Sequence, residues 1–242
     1  AAAIRLFCDR VGVAKANSTV DLAQYEHTIR DYLNYEAPRV MAVLDPIELV
    51  IDNYPDGQTE DLDASSWPEA VPKEGSRKVP FSKRIYIERA DFKEEPGNKF
   101  FRLAPGREVR LRYAYLVTCT GVDKNDAGEI TRIHATYDPD TRGGTAPDGR
   151  KVKGTLHWVS ADACLDATVR IYDRLFRTEA PGTTEGVDFR DELNPDSLTV
   201  VPAKLERSLK DAKPEDRFQF ERQGYFYVDP VDSKDDAPVF HR

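Results

Sequence analysis

Short apolar runs separated by turn residues fill most of this chain and constrain its fold more than any other feature. From Met41 onward, hydrophobic residues either alternate with polar ones or form short runs, and the chain contains sixteen prolines and fourteen glycines. Proline fixes φ and removes a backbone donor, while glycine tolerates the positive φ of tight turns. Helices do not alternate with these runs, so the sequence predicts antiparallel β-barrels and not a doubly wound sheet.

The start of the chain has a helical pattern instead. Residues 4–10 are predicted to form the second half of a helix that Gly12 closes. The segment from Ser18 to Asp21 resembles an N-cap with an acidic first turn, and apolar residues then recur at helical spacing until Pro38 ends the helix. Because the chain begins so close to the first helix and without an initiator methionine, we expect an upstream segment to be missing.

The rest of the chain divides into predicted strands and loops. Turns are expected at 55–57 and 125–128, because both contain residues that tight turns require. The predicted strands are 47–54, 84–88, 108–122, 130–137, 155–160, 169–176 and 218–228. Loops are predicted at 61–75 and 139–149.

The net charge argues against nucleic-acid binding, whereas the charge distribution argues for it. The formal net charge is −8, and phosphate binding depends on clustered Lys and Arg. Basic residues nevertheless gather at 77–93, 99–112 and 150–153. An acidic protein with basic stripes can bind nucleic acid locally. Because charge runs are more often solvated faces, this observation alone leaves nucleic-acid binding a minority hypothesis.

Cysteine spacing and hydropathy exclude other classes of protein. Cys8, Cys119 and Cys164 are far apart, odd in number and without a zinc-like spacing, so we predict reduced thiols, no disulfide and no metal site. No stretch has the apolar length of a membrane span, and the N-terminus has no signal-peptide pattern. We therefore expect a soluble, cytoplasmic protein.

One predicted strand carries a candidate site for RNA. On the strand 108–122, alternation places Arg110 and Arg112 together on the face opposite the apolar residues. Guanidinium groups suit phosphate oxygens and base edges, and the Phe-Phe-Arg sequence at 100–102 adds aromatic rings on which splayed bases can stack. A solvated outer face with Glu partners is the alternative, and spacing by itself favours that alternative.

Longer segments carry a family resemblance. They are 37–46 (APRVMAVLDP), 75–82 (GSRKVPFS), 103–115 (LAPGREVRLRYAY), 148–161 (DGRKVKGTLHWVSA), 170–176 (RIYDRLF) and 218–226 (FQFERQGYF). Long consecutive matches in the same order are far more specific than a short motif. In these segments the sequence resembles the C-terminal anticodon-binding region of bacterial glutaminyl-tRNA synthetases, which are class I aminoacyl-tRNA synthetases. Eukaryotic and archaeal-type glutamyl-tRNA synthetases are the main confusable relatives.

The resemblance implies a fold and its division into domains. The expected fold is mainly β, with a short N-terminal helical region that contacts the tRNA stem and then two antiparallel β-barrels, the distal one inserted in the proximal one. On this basis residues 1–37 form the helical region. Residues 38–98 together with 179–242 form the proximal barrel, and residues 99–178 form the distal barrel.

The resemblance also implies anticodon-binding roles for seven residues: Asn34, Arg39, Arg102, Arg110, Arg112, Gln219 and Arg222. Arg39 and Gln219 are expected at the middle anticodon base, Arg102 at the third and Arg110 at the first. Arg112 and Arg222 match positions that support this pocket, and Asn34 matches one near the anticodon loop. The alternative for Gln219 is an exposed barrel residue.

An eighth residue, Lys15, matches a region that touches the inner corner of the tRNA, although an exposed lysine is the default interpretation. The sequence departs from the family at Lys99 and Phe101, where some bacterial members have Gln and Lys. Contacts made through those two positions are therefore not carried over.

Catalytic motifs of the family are absent from the sequence. Neither a HIGH-like nor a KMSKS-like motif is found, nor a phosphate-binding glycine loop. His157 is a lone histidine in an apolar strand, and the aspartates Asp138, Asp140 and Asp148 lie where turn chemistry favours them. We expect no catalytic, cofactor or metal-binding residues here, with ATP and Mg²⁺ bound by a missing catalytic domain of an ATP-dependent glutamine–tRNA ligase.

The leading hypothesis is thus anticodon recognition in tRNA for glutamine by a monomer that binds neither membrane nor DNA. One alternative is the corresponding part of a glutamyl-tRNA synthetase. Another is a free-standing RNA-binding β-barrel protein that resembles a ribosomal rRNA binder. A small hydrolase is a further alternative, which a Ser-His-Asp set in a sequence of this length supports only weakly.

Overall fold

The computed structural model describes residues 2–12, 15 and 19–242. Within these residues two α-helices precede sixteen strands: α1 (Ala2–Val11), α2 (Leu22–Glu36), β1 (Arg39–Val40), β2 (Ala42–Val43), β3 (Pro46–Ile51), β4 (Thr59–Ser65), β5 (Ser76–Ser82), β6 (Arg84–Glu88), β7 (Glu108–Leu111), β8 (Leu116–Lys124), β9 (Ile130–Asp138), β10 (Thr155–Leu156), β11 (Val159–Ser160), β12 (Leu165–Tyr172), β13 (Leu198–Leu205), β14 (Arg217–Phe220), β15 (Gly224–Val228) and β16 (Val239–His241). Short 3-10 helices follow β6, β9 and β13, and a further one precedes β13.

Both α-helices end where the sequence predicts. Gly12 follows α1 with a φ of +77°, and its amide donates back into the last turn at 2.9 Å. Asp21 precedes α2 and its carboxylate accepts the amide of Ala23, while Pro38 follows the helix end. The predicted capping residue Ser18 lies outside the described residues.

The two helices pack against each other. The rings of Phe7 and Tyr25 meet edge to face with centroids 5.0 Å apart. Arg10 Nη1 lies 2.9 Å from Asp31 Oδ2, at the surface of the pair. Because α2 also contacts β14, the helices lie beside the strands that follow residue 216.

Strands between residues 46 and 160 form the first barrel. This seven-stranded sheet has the order β10-β7-β8-β9-β3-β6-β11. Its edge strands, β10 and β11, are separated only by His157 and Trp158. Because one short segment supplies both edges, the sheet must curl until they meet. The separate hairpin β4-β5 adds Val79 and Phe81 to the core of this barrel.

The second barrel combines strands 39–43 with strands 165–241. Its seven-stranded sheet has the order β1-β14-β15-β16-β12-β13-β2. The edges β1 and β2 are separated only by Met41, so this sheet also closes on itself. The predicted fold class, a mainly β chain with two barrels after a short helical region, is therefore confirmed.

The two barrels share one pattern of strand pairing. Each has a closing segment (155–160 or 39–43), a three-stranded meander (β7 to β9 or β14 to β16) and an antiparallel strand pair (β3 with β6, or β12 with β13). In both barrels the closing segment and the third meander strand make parallel pairings, although only antiparallel ones were predicted. Along the chain, a closing segment, a strand pair and a meander follow one another twice. Each closing segment pairs with the strands of the other unit, so the two units exchange their closing segments.

Aromatic side chains fill both barrel cores. In the first barrel the fully buried Trp158 meets Phe81 edge to face, with centroids 5.1 Å apart. In the second barrel Phe220 stacks on Phe226 at 4.1 Å and lies 5.3 Å from Phe240. Each buried ring removes a large apolar area from water. The buried side chains form two separate clusters, so each barrel has its own hydrophobic core.

Several predicted elements are wrong in detail. The predicted strand 155–160 is interrupted at 157–158 between β10 and β11, and the predicted strand 169–176 lies four residues earlier, as β12. The predicted strand 108–122 is split into β7 and β8 by a turn, and 218–228 is split into β14 and β15. Apolar residues flank both turns closely, so alternation alone did not reveal them. The predicted loop 61–75 contains most of β4, which pairs with β5 and buries Leu62 and Ala64 between polar neighbours.

The strand pairing does not follow the predicted domain divisions at 98 and 178. Strand β3 pairs with β9, and strand β12 pairs with β13 and β16. Strands from both sides of residue 98 therefore share the first barrel, and β12 belongs to the second. The exchange of closing segments explains the difference, because the change of barrel occurs at 43–46 and 160–165.

Candidate nucleic-acid interface

Arg39 and Gln219 form the first candidate pair. They lie opposite each other in the parallel register of β1 and β14, although 180 positions separate them in the sequence. Arg39 Nε donates to Gln219 Oε1 at 3.0 Å. Parallel partners in register project to the same face, so a guanidinium and an amide stand side by side. Together they offer donors and an acceptor that suit the edge of a base.

Gln219 also lines an open groove of about 1310 Å³ between α2 and the second meander. Arg30 of α2 contributes to one side, and Arg217 and Tyr225 to the other. Burial raises the pKa of Tyr225 above its usual value, so its phenol stays neutral at pH 7. Cationic and aromatic side chains along one groove are typical of single-stranded nucleic-acid binding.

Arg110 occupies the corresponding position in the first barrel. It lies opposite Thr155 in the parallel register of β7 and β10. Its Nε donates to the carbonyl of Gly144 at 2.5 Å, so the loop after β9 covers the side chain. Gly144 has a φ of +83°, and a Cβ there would lie 2.7 Å from Arg110 Cδ. Glycine therefore permits the close approach of this loop.

Arg102 lies at the surface with the aromatic residues that the sequence places beside it. Phe101 is 54% exposed, and Lys153 Nζ lies 5.0 Å from its ring centroid. Phe100 is partly buried, with Lys93 Nζ at 5.2 Å from its ring. The segment is not a strand, but it presents an exposed ring and cations to solvent, as a stacking surface requires.

Arg112 begins the turn after β7 and lies in the junction between the barrels. Its guanidinium contacts the carboxylate of Glu221 and lies 4.9 Å from the ring of Tyr113. Tyr113 donates to Glu221 Oε1 at 2.6 Å, and burial together with Glu221 raises the pKa of its phenol. The Arg112 amide donates to the carbonyl of Leu156 at 2.9 Å, as the Arg110 amide donates to that of Gly154 at 2.8 Å, and the placement of both side chains on one face stays a prediction.

A second buried carboxylate, Glu206, completes this junction. Arg77 contacts Glu206 through two nitrogens, and its Nη2 lies 3.7 Å from Glu221 Oε1. Burial lowers the pKa of Arg77, but these carboxylates outweigh burial and raise it. Glu206 Oε2 also accepts the amide of Met41 at 2.7 Å. The closing segment of the second barrel is thus tied to a buried ion-pair network.

Arg222 lies on the other side of the junction. Its Nη1 and Nη2 donate to Asp91 at 2.5 and 2.8 Å, and Nη1 lies 3.1 Å from His157 Nδ1. Arg102 Nε also lies 3.2 Å from Asp91 Oδ1. His157 is buried as predicted, but both of its ring nitrogens have polar partners. Asp91 thus joins arginines from both barrels.

Glu88 is the partner of His157 at its second ring nitrogen, at 3.3 Å. It also accepts the amides of Leu44 and Asp45 and the side chain of Gln223. Burial acts to raise the pKa of the Glu88 carboxyl, but the hydrogen bonds from His157 and from the two amides outweigh burial and lower it. The carboxylate therefore stays ionised and holds the chain where it crosses between the barrels.

Arg150, in the predicted basic stripe at 150–153, is neutralised within the protein. Arg150 makes a two-point contact with Glu108 at 3.0 Å and also pairs with Asp138 and Asp148. Arg150 lowers the pKa of Asp138, and the Arg150 amide and side chain lower that of Asp148. The two aspartates also accept backbone amides two residues on, which confirms their predicted turn chemistry. Charge clusters in sequence thus overstate the free positive surface.

The remaining site predictions fall in the helical region. Asn34 is partly buried in the last turn of α2, and Lys15 is exposed between the two helices. All three cysteines, which lie within the described residues, are free thiols. In the described part of the chain, no helix has the length and hydropathy of a membrane span. The same residues contain no group of three or more His, Cys, Asp or Glu side chains placed to hold a metal ion.

Sequence patterns did not reveal the acidic residues that organise these arginines. Asp91 lies in a 3-10 helix, and neither its spacing nor its neighbours indicate that it meets Arg222, 131 positions away. Nor does any spacing indicate that Glu221 meets Tyr113, 108 positions away. The Gly143-Gly144 pair in a predicted loop is a sequence signal of a close backbone approach.

Two protein families and several curated proteins match this chain. Residues 37–138 and 155–229 match two families that carry one description, "tRNA synthetases class I (E and Q), anti-codon binding domain". The glutamine–tRNA ligase of Cupriavidus metallidurans is 53% identical over 99% of this chain and 41% of its own length. The corresponding ligases of Bradyrhizobium diazoefficiens and Clostridium perfringens are 52% and 51% identical, over 100% and 99% of this chain.

The chain spans about two-fifths of the length of these curated relatives, since 41% to 43% of each is covered. The matched families together include both closing segments, so they span both barrels. The chain therefore belongs to the anticodon-binding domain family of the class I glutamyl- and glutaminyl-tRNA synthetases.

Proposed function

We propose that this chain is the anticodon-recognising part of a cytoplasmic glutamine–tRNA ligase and that it binds tRNA for glutamine. The observation that carries the proposal is the Arg39–Gln219 pair, which the fold assembles from opposite ends of the β-rich region beside an open groove that contains arginine and tyrosine side chains. The names of the relatives support the choice of glutamine.

The chemistry of this pair suits a uridine, the middle base of glutamine anticodons. An amide group can both donate to and accept from the Watson-Crick edge, and a guanidinium donates to carbonyl oxygens. Because Arg39 already holds the amide oxygen of Gln219, the amide nitrogen is oriented for an acceptor on the base. Arg102 at the third base and Arg110 at the first complete the proposed set.

Binding measurements with anticodon stem-loops test the proposal. Affinity for the glutamine stem-loop should fall with rising salt and should fall further when the middle uridine is replaced. Arg39→Ala or Gln219→Ala should cost roughly 1–3 kcal/mol and relax discrimination at that base. Equal affinity of the unmodified chain for all middle bases would contradict the proposal.

The glutamyl alternative is tested at a different base. Glutamine and glutamate anticodons differ at the third position, which is G in one and C in the other. Tighter binding to the loop with G supports the glutamine assignment, and tighter binding to the loop with C supports the glutamyl-tRNA synthetase. The same measurement with unrelated RNA hairpins tests the alternative of a non-specific RNA-binding protein, which would bind them as tightly as the glutamine stem-loop.

Aminoacylation itself is proposed for the parts of the ligase that the relatives have and this chain does not span. ATP and Mg²⁺ would act there. The role proposed for the described residues is binding and orienting RNA.

A further inference from the structure

Asp91 is a buried carboxylate that joins arginines from the two barrels. Its side chain is only 2% exposed and lies in the 3-10 helix that follows β6. Arg222, from the turn between β14 and β15, donates to both of its oxygens, at 2.5 and 2.8 Å. Arg102, from the first barrel's side, places Nε 3.2 Å from Oδ1 of the same group. One carboxylate therefore binds Arg222 through two hydrogen bonds and holds Arg102 as an ion pair.

Arg102 is fixed along one edge only. Besides the contact with Asp91, its Nη1 donates to the carbonyl of Ala90 at 3.1 Å. The amide of Leu103 donates to the carbonyl of Asp91 at 3.0 Å, which holds the backbone of Arg102 against the same 3-10 helix. The Arg102 side chain is nevertheless 46% exposed. Its outer edge can therefore meet a ligand in a direction that the inner edge sets.

Arg222 is enclosed by the protein to a greater degree. Arg222 lies in a turn, with a φ of +68°. Its guanidinium is bound by Asp91 and lies 3.1 Å from His157 Nδ1. His157 in turn faces Glu88 through Nε2. A ring protonated on Nε2 satisfies both neighbours, because it accepts from Arg222 and donates to Glu88. Arg222 thus acts on Asp91 and has little freedom to follow a base.

We propose that Asp91 is a positioning residue for the third anticodon base. Arg222 of the other barrel fixes the Asp91 carboxylate, and Asp91 in turn holds the Arg102 guanidinium in one orientation. This role rests on the proposed function, since it assigns Arg102 to that base. Because Arg102 is exposed, its ion pair with Asp91 adds little to the free energy of unfolding. The main consequence of the pair is therefore the orientation of the Arg102 guanidinium.

The test is discrimination by the Asp91→Asn variant of the 242-residue chain. The unmodified chain and the variant are titrated with stem-loops that carry G or C at the third position and with one changed at the middle base. Unmodified chain should discriminate at both bases by roughly tenfold or more. The variant should lose most discrimination at the third base and keep it at the middle base, where Arg39 and Gln219 are unchanged.

A double-mutant cycle separates positioning from general destabilisation. In an Arg102→Ala background, Asp91→Asn should cause no further loss at the third base, because the oriented group is already gone. Retention of third-base discrimination by Asp91→Asn would overturn the proposal. A parallel loss at both bases would also overturn it, because that is the result of a purely structural role. Absence of discrimination in the unmodified chain would instead refute the proposed function.

A second variant covers the case in which Asp91→Asn does not fold. Arg222→Lys retains a charge beside Asp91 but cannot make the two-point contact. We expect this variant to weaken third-base discrimination several-fold while the middle base is read normally. Unchanged discrimination at the third base would count against the link from Arg222 through Asp91 to Arg102.

Discussion

The two barrels place different side chains at one equivalent position. Arg110 on β7 and Gln219 on β14 each lie opposite the first residue of a closing segment. The Arg110 amide donates to the carbonyl of Gly154 at 2.8 Å, and the Gln219 amide donates to that of Pro38 at 2.9 Å. The same backbone arrangement thus presents a guanidinium in one barrel and an amide in the other. The comparison teaches that the scaffold fixes where a side chain stands, while the residue type fixes what it can bind.

The turns that follow these strands differ in a complementary way. The first meander has Arg112 and Tyr113 at its turn, and the second has Glu221 and Arg222. Tyr113 and Arg222 share the same rare positive φ, at 65° and 68°. The equivalent residues Arg112 and Glu221 have opposite charges and form an ion pair across the junction. Tyr113 donates a hydrogen bond to the same carboxylate. The Glu221 carboxylate thus joins the turns of the two barrels.

Each closing segment is also held by a buried glutamate at an equivalent place, directly before a 3-10 helix. Glu206 accepts the Met41 amide, and Glu88 contacts His157. Glu88 additionally accepts two amides of the chain just after the other closing segment. The exchange of segments is thus fixed by carboxylates as well as by strand pairing. Changes at the junction should consequently affect both barrels.

The largest expected effect is at this junction. Glu221→Ala removes the carboxylate that Arg112, Tyr113 and Arg77 share, and it leaves the Arg112 guanidinium without its carboxylate partner while Arg77 keeps Glu206. We expect the free energy of unfolding to fall by about 3–5 kcal/mol in urea titrations, as is typical for a broken buried pair. Asp63→Ala is the control, because the Asp63–Lys78 pair is exposed and should contribute less than about 1 kcal/mol. Similar losses of unfolding free energy in the two variants would show that the buried junction contributes no more than an exposed ion pair.

The next effect concerns the equivalent positions. Arg110→Gln gives the first barrel the side chain type of the second, and it removes a charge from the position proposed for the first anticodon base. Discrimination at that base should fall by about 1–3 kcal/mol in binding assays, with no change at the middle base. Arg132→Gln, an exposed substitution on β9 of the same barrel, should leave both bases unaffected. Equal losses at the two bases would show that the barrels do not act separately.

Sequence patterns predicted elements better than they predicted the partners of charged residues. The end of α1 at Gly12, the strand β6 and the hairpin before β9 follow from local turn and capping chemistry. The split of each meander at Tyr113 and Arg222 did not, because neither residue type favours a positive φ. Those conformations depend on the junction, which exists only after both barrels have formed.

The candidate site was predictable in position but not in contacts. Resemblance supplied Arg39 and Gln219, and only the parallel pairing of β1 with β14 shows why they stand together. Arg112 and Arg222 were assigned to the pocket, yet both are bound by carboxylates between the barrels. Long-range pairs of this kind leave no spacing in the sequence, since the residues are over a hundred positions apart.

A smaller effect should separate two neighbouring glycines of the loop that covers Arg110. Gly143 and Gly144 have φ values of +84° and +83°, so alanine at either position should cost about 1 kcal/mol of stability. Only at Gly144 would the new Cβ meet Arg110, at 2.7 Å, whereas nothing lies within 4 Å at Gly143. Gly144→Ala should therefore weaken discrimination at the first base, and Gly143→Ala should not. Identical binding by the two variants would show that the loop does not position Arg110.

The smallest expected effect is a pH dependence confined to the first barrel. A hydrogen bond to Asp52, assisted by Asp123, raises the pKa of His134 on β9 above its ordinary value of 6.5. The protonated ring stabilises the fold, so this contribution is fully present below about pH 6.5 and is lost as pH rises through the higher folded value. Because the pair is exposed to solvent, we expect less than about 1 kcal/mol between pH 6 and pH 8. His134→Asn should remove that slope in urea unfolding at several pH values, and an unchanged slope would assign the pH dependence to another group.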